Sequence, residues 1–148
     1  RITVPVRRRF VVEGVRFEAW PVEHSLNAPA VGYRIGTGSA RVFYVPDVVA
    51  IPNRAAALRG VPLYIGDGAT LTRPLVRRRG TNRIGHTPVA MQMQWCRDAR
   101  IRRALITHCG SEIVKAPHAR MVERVRELGR RFGIRAELAV DGMTRLIH

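Results

Sequence analysis

Residues 104–113, ALITHCGSEI, place four residues suited to a buried strand directly before His108, Cys109 and Gly110. The run ALIT predicts a short β-strand, and Gly110 predicts a loop in which the backbone turns away behind the histidine. A histidine at such a strand end either caps a sheet edge by hydrogen bonding or is held rigidly for binding. The rest of the sequence bears on which interpretation is correct.

The segments on either side of this strand predict one mixed β-sheet with helices packed over it. Upstream, apolar runs bounded by turn residues predict strands at RFVVEGVRFEAWPV, AVGYRIG, ARVFYV and LYIGDG. Downstream, Thr87-Pro88 and Pro117 predict the starts of two helices. The last segment, RAELAVDGMTRLI, predicts a strand, a turn at Asp141-Gly142 and a final strand.

The length of 148 residues suits a single domain, residues 1–148, with a core of its own. No apolar run is long enough to span a bilayer, and the N-terminus lacks the apolar stretch of a signal peptide. The chain begins with Arg1 rather than methionine, which indicates a fragment or a processed protein. Cys96 and Cys109 form neither a metal motif nor a disulfide framework, so we expect a reducing, cytoplasmic environment.

The protein is strongly basic, with a formal net charge of +15. Lys115 is the only lysine, so arginine supplies nearly all of the positive charge. The arginines are scattered, and no aromatic residues alternate with them as a base-stacking platform requires. This pattern favours a solvated basic surface, with an anionic substrate as the next interpretation.

Polar residues follow several of the predicted strands. His24, Asp47 and His108 each come directly after an apolar run, and His86 precedes the first predicted helix. Strands hold the loops that follow them rigidly, so these side chains can meet at one edge of the sheet. Imidazole and carboxylate are standard ligands of Zn²⁺. The alternative is that the histidines are hydrogen-bonded surface residues and that Asp47 forms a turn.

The order of segments from Phe17 onwards resembles the C-terminal half of metallo-β-lactamase-fold hydrolases. The segments that carry the resemblance are VEHSLNAPAVGYRI, FYVPDV, LITHCG and AVDGMTRL. The phosphodiesterase branch, which includes cyclic ribose-phosphate phosphodiesterases, is the most similar. The resemblance implies an α+β fold, the αββα sandwich, of which this chain forms the C-terminal half: one mixed β-sheet with helices over one face.

The resemblance also implies roles for individual residues. His24 corresponds to a ligand of the first metal, Asp47 to a carboxylate that bridges both metals, and His108 to a ligand of the second. The implied cofactor is Zn²⁺, two ions per complete site, with Mn²⁺ as the alternative.

Two further residues match the substrate side of the phosphodiesterase site. His86 corresponds to a catalytic residue that protonates the leaving oxygen or contacts the phosphate, and Asp67 to a catalytic or substrate-side aspartate. We expect Arg83 to hold a phosphate.

One signature of the family is missing: the sequence contains no His-x-His-x-Asp-His motif. Three ligands are too few for two metals, because a catalytic zinc normally has about three protein ligands of its own. Three explanations remain open. The chain is the C-terminal part of a longer protein, a degenerate domain without metals, or one partner of a separate chain that carries the motif.

The sequence therefore predicts a metal-dependent hydrolase, in its complete form a phosphodiesterase that works by metal-activated hydroxide attack. The alternatives are a nuclease of the same fold and a non-catalytic basic module that binds nucleic acid. The expected partners are a small anionic phosphodiester, or nucleic acid, and either a second copy of the chain or the N-terminal half of the fold. We expect no membrane partner.

Overall fold

The computed structural model describes residues 3–38 and 40–147. Within these ranges the chain forms short strands and helices in the order β1 (Arg9–Val12), β2 (Val15–Val22), β3 (Ala30–Thr37), β4 (Ala40–Tyr44), α1 (Arg54–Leu58), β5 (Leu63–Asp67), β6 (Leu75–Arg79), β7 (Asn82–His86), α2 (Val89–Asp98), β8 (Arg103–Thr107), α3 (Ser111–Val114), α4 (His118–Arg131) and β9 (Arg135–Leu138).

Seven strands form one mixed sheet in the order β1-β2-β3-β4-β5-β8-β9. The pairs from β1 to β4 are antiparallel, and the pairs β4–β5, β5–β8 and β8–β9 are parallel. Strands β6 and β7 form a separate hairpin. The mixed sheet with few helices is the predicted α+β class. Since β2, β4, β5 and β8 all run in one direction, their C-terminal ends meet at the same edge, which we call the upper edge.

The core lies on one face of the sheet, under the helices. Side chains alternate across a strand, and on this face Phe43, Tyr64, Ala104 and Ile106 are fully or almost fully buried. Helix α2 packs on β5 and β8, and α4 packs on β9 and α2. Each parallel pair is joined by a crossover containing a helix, which brings the chain back to start the next strand in the same direction.

The opposite face of the sheet, which we call the open face, carries half-buried apolar side chains. Phe10 stacks on Phe17 with ring centroids 5.5 Å apart, and Phe17 meets the edge of Tyr33 at 6.3 Å. Ile65 and Leu105 are neighbours on this face in the β5–β8 pair. These side chains therefore pack mainly against one another across the strands.

One predicted element does not form. Residues 143–147 of the segment MTRLI have no strand pairing after the turn at Asp141-Gly142. The tail is held by a side chain instead, since Arg145 Nη2 donates to Glu137 Oε2 at 2.5 Å. A charged contact to β9 takes the place of a backbone ladder here, and the prediction of a final strand is wrong.

In the described ranges, every helix is too short or too polar to cross a lipid bilayer.

Candidate metal centre

Five potential metal ligands gather at the upper edge of the sheet. His24 follows β2, Asp47 follows β4, Asp67 ends β5, His86 ends β7, and His108 follows β8. They form two overlapping groups whose donor atoms lie within 4.8 Å of one another. The first group is His24, Asp47 and His86, and the second is Asp67, His86 and His108.

Asp47 lies at the middle of this cluster. Its Oδ1 is 3.6 Å from His24 Nε2, 3.4 Å from His108 Nδ1 and 3.8 Å from His86 Nδ1. The side chain is about one-third exposed, so the carboxylate remains open to solvent and ligands. A single oxygen thus faces three imidazole rings that come from three separate segments of the chain.

His24 is oriented by the β6–β7 hairpin. Its Nδ1 lies 2.9 Å from the carbonyl oxygen of Gly85, which can only accept, so Nδ1 carries the proton. The backbone N–H of Gly85 donates to the carbonyl of His24 at 2.9 Å. Gly85 has φ +116°, and a Cβ there would lie 1.9 Å from the carbonyl oxygen of Leu75. This reciprocal contact requires glycine, and it leaves His24 Nε2 free to bind on the Asp47 side.

Asp67 is fully buried and holds His86 in place. One carboxylate oxygen, Oδ1, accepts the N–H of Ala69 at 2.8 Å. The other, Oδ2, accepts the N–H of Val48 at 3.0 Å and lies 2.7 Å from His86 Nδ1. The carboxylate therefore assigns the proton of His86 to Nδ1 and leaves Nε2 for a ligand or a substrate. The contact with Val48 also ties the loop after β4 to the end of β5.

Gln92 supports this arrangement from inside α2, and the sequence interpretation missed it. Its Oε1 accepts from the N–H of Asp67 at 2.9 Å and from the Tyr64 hydroxyl at 3.0 Å. Its Nε2 donates to the carbonyl of Asp67 at 2.6 Å and also lies 3.3 Å from the carbonyl of Thr87. A signal for it existed, because Gln92 is a polar residue among the buried positions of an apolar helix face.

The loop after β8 turns at a different residue from the one expected, which was Gly110. The backbone at His108 itself is left-handed, with φ +50°, whereas Gly110 has an ordinary φ of −77°. Gly110 is required by proximity instead, since a Cβ there would lie 2.2 Å from the carbonyl oxygen of Ala69. The loops after β5 and β8 are also joined by a hydrogen bond from Gly110 N to Gly68 O at 3.0 Å.

Arg83 lies near the cluster in a paired state. Its Nε and Nη2 donate to the two carboxylate oxygens of Glu23 at 2.7 and 3.0 Å. The hydrogen bond to Glu23 and the charge of that carboxylate raise the pKa of Arg83. Three N–H groups of the guanidinium lie outside these two hydrogen bonds, so the ion pair does not prevent contact with a substrate phosphate, the role expected for Arg83.

The cluster fits a divalent metal by the chemistry and spacing of its donors. Three imidazoles and two carboxylates are the ligand types that Zn²⁺ prefers. Two ligands at about 2.1 Å from one tetrahedral ion lie about 3.4 Å apart, close to the separations around Asp47 Oδ1. Cys109 is a poorer candidate, because burial and the charge of Asp67 raise the pKa of its thiol.

Solved structures with a similar fold come from several hydrolases. The metallo-beta-lactamase fold protein YhfI from Bacillus subtilis matches 96% of this chain with a TM-score of 0.70 and 16% identity. A diphosphatase from the PhnP family matches 97% with a TM-score of 0.67 and 19% identity. The isothiocyanate hydrolase from Delia radicum gut bacteria matches 99% with a TM-score of 0.68 and 11% identity.

The matches cover 52%, 47% and 59% of those three proteins, so the chain spans about half of their length. No curated protein matches the sequence significantly. The likeness confirms the metallo-β-lactamase type of fold, the fold of metal-dependent hydrolases. The family model described as "Beta-lactamase superfamily domain" matches residues 1–109, and the chain therefore belongs to that superfamily.

Proposed function

We propose that the upper-edge cluster is the metal site of a hydrolase that cleaves phosphodiesters. The observation that carries the proposal is the position of Asp47 Oδ1, 3.6 Å from His24 Nε2 and 3.4 Å from His108 Nδ1. In this proposal His24, Asp47 and His108 hold Zn²⁺ or Mn²⁺, with His86 in reach of the same ions. When bound, the metal supplies an activated water and neutralises charge on the phosphoryl oxygens.

His86 and Asp67 act as a pair. Asp67 fixes the tautomer and direction of the imidazole through Nδ1, which leaves Nε2 pointing away from the carboxylate. In the doubly protonated form, Nε2 passes its proton to the leaving oxygen as the ester bond breaks. Where Nε2 binds a metal instead, it has no proton to give, and His86 is then a ligand.

The two roles of His86 can be distinguished with a His86→Gln variant. As a proton donor, His86 matters little for bis(4-nitrophenyl) phosphate, whose leaving group departs unaided, and matters strongly for alkyl esters. As a ligand, its loss lowers the metal content and the cleavage of both substrates. Elemental analysis beside the two rate assays separates these outcomes.

The β6–β7 hairpin favours nucleic acid as a second candidate substrate. It carries Arg77, Arg78 and Arg79 in an exposed strand that pairs with the strand ending in His86. Charges of one sign beside a reactive centre raise the local concentration of a polyanion. If the protein is a nuclease, cleavage should fall steeply as the salt concentration rises. An Arg77→Ala/Arg79→Ala variant should then cleave RNA or DNA more slowly and small diesters at the unaltered rate. Salt-sensitive binding without metal or cleavage would favour the non-catalytic module instead.

The first prediction concerns metal content. Asp67→Asn replaces the carboxylate that orients His86, and loss of such a partner typically lowers metal affinity or activity about 10–100-fold. We expect elemental analysis to find bound zinc or manganese in the purified chain and markedly weaker retention in the variant. The matched control is Asp141→Asn, in the exposed turn after β9.

Equal metal retention in both variants would show that Asp67 does not support metal binding. A folded chain without metal would show that this cluster does not bind metal by itself. Activity would then have to be sought in a longer protein or with a second chain.

A further inference from the structure

A small cavity lined largely by arginine lies at the other end of the sheet. Its volume is about 190 Å³, and the charged residues that line it are Arg9, Arg16, Glu18, Arg34 and Arg41. Arg16 is the second residue of β2, whereas His24 lies beyond the C-terminal end of that strand. The chain from Arg16 to Val22 spans roughly 20 Å, so the cavity is separate from the metal centre.

Strand register creates the opening of this cavity. Arg16 in β2 and Arg41 in β4 are both cross-strand partners of Gly36 in β3. Because Gly36 has no side chain, the space between the two arginine-bearing strands stays open. A Cβ at Gly36 would lie 2.1 Å from the carbonyl oxygen of Ala40, so the backbone geometry itself requires the glycine.

Arg34 lines the cavity from the neighbouring row of the same face and is held rigidly. Its side chain is only 15% exposed, and it donates to Glu18 Oε2 at 3.0 Å and to the carbonyl of Ala57 at 2.7 Å. Its Nε is buried and has no hydrogen-bond partner within the described ranges. Burial lowers the pKa of Arg34. The charge of Glu18 raises this pKa, and the charges of Arg41 and Arg9 lower it further.

The charge balance of the cavity calls for an anion. Four arginines face one glutamate, which leaves three positive charges in surplus. Like charges on neighbouring strands oppose folding, and guanidinium groups bind oxyanions in fixed, often bidentate geometry. We propose that this cavity binds a single phosphate group, either as the free ion or as the phosphate of an ester. Its volume suits one tetrahedral oxyanion rather than a length of polynucleotide.

Thermal unfolding in phosphate tests the proposal. The melting temperature Tm of the full chain is measured in rising inorganic phosphate against sodium chloride of equal ionic strength, with EDTA present to keep the metal centre empty. We expect a saturable rise of about 3–5 °C in phosphate beyond that in chloride. The same titration with adenosine 5′-monophosphate distinguishes a free ion from an ester. The preferred ligand is the one whose effect on Tm saturates at the lower concentration.

Matched variants decide where the anion binds. Arg16→Ala/Arg41→Ala should abolish the phosphate effect, and Arg41→Gln alone should weaken it if the double variant does not fold. Arg120→Ala/Arg126→Ala on α4 removes the same charge from an exposed helix face and should keep the effect. Equal stabilisation in both double variants, or none in the unaltered chain, would overturn the proposal. His108→Ala should leave the effect intact, so the result does not depend on the proposed function.

Discussion

His108 combines a candidate metal-ligating side chain with an unfavourable backbone conformation. Its φ of +50° is left-handed, a region that costs non-glycine residues about 1 kcal/mol or more, although histidine tolerates it better than most. The conformation turns the chain immediately after β8 and leaves the imidazole 3.4 Å from Asp47. Strain of this kind agrees with the binding role proposed for His108 but does not by itself assign it, since Arg7, Glu13 and Arg100 share the left-handed conformation.

This strain predicts an unusual order of stability among variants at position 108. His108→Gly should be more stable than His108→Ala by about 1 kcal/mol, because only glycine adopts the left-handed region freely. Urea unfolding of both proteins, in the presence of EDTA, measures the difference. An alanine variant as stable as the glycine variant would mean that the left-handed turn is not maintained.

Single residues at strand ends were largely predictable, and their partners were not. His24, Asp47 and His108 follow predicted strands, which makes them candidate ligands. Their meeting at one edge depends on strand directions, which the family resemblance implied and no local pattern gives. The pairs Asp67–His86 and Arg83–Glu23 join segments that lie 19 and 60 positions apart. Such distant pairings depend on how loops approach one another in space, which no periodicity in the sequence records.

At the scale of elements, helix α2 anchors the end of β5 through Gln92. A Gln92→Leu substitution would leave the N–H and carbonyl of Asp67 buried without partners, at a cost of about 2–4 kcal/mol. Gln94→Leu is the matched control, because that side chain lies in the same helix and is only half-buried. Denaturant unfolding should show a large loss in the free energy of unfolding for Gln92→Leu and a small change for Gln94→Leu. Similar values for both would mean that the Gln92 network adds little to stability.

The short helix α3 holds the loop after β5 through Glu112. Hydrogen bonds from Leu71 N–H, and then from the Thr70 hydroxyl, lower the pKa of the Glu112 carboxyl. A lowered pKa stabilises the fold above the ordinary carboxyl value of about 4.3, and this contribution is lost as the pH falls through the lower value of the folded state. Solvent screening limits it to less than about 1 kcal/mol.

The stability difference between the unaltered protein and Glu112→Gln should therefore shrink as the pH falls from 7 towards 3. Urea unfolding at several pH values measures this difference. A difference that stays constant with pH would indicate that the charge of Glu112 makes no contribution.

At the scale of the whole molecule, the open face is the surface on which apolar side chains remain partly exposed. Its half-buried apolar side chains, including Ile65 and Leu105, lie on the side of the sheet away from the helical core. Apolar patches of this kind favour association. We expect sedimentation velocity to show that the purified chain self-associates as its concentration rises. An Ile65→Thr/Leu105→Thr variant should self-associate less at the same concentrations. A monomer at every concentration would contradict this prediction.

The order of the strands was not predicted. One mixed sheet with helices packed over it followed from the apolar runs, the turn residues and the family resemblance, so this general architecture was predictable. The β6–β7 hairpin and the missing final strand were not, since both depend on side-chain contacts such as Gly85 with His24 and Arg145 with Glu137.

The spread of the candidate metal donors along the chain also has a consequence for maturation. They lie between positions 24 and 108, on five segments that meet only when the sheet is complete. An unfolded chain therefore offers an ion no preassembled pocket, and long-range contacts of this kind form late in folding. If the cluster binds metal as proposed, we expect folding to precede loading, so that metal scarcity leaves a folded, unloaded pool rather than a misfolded one.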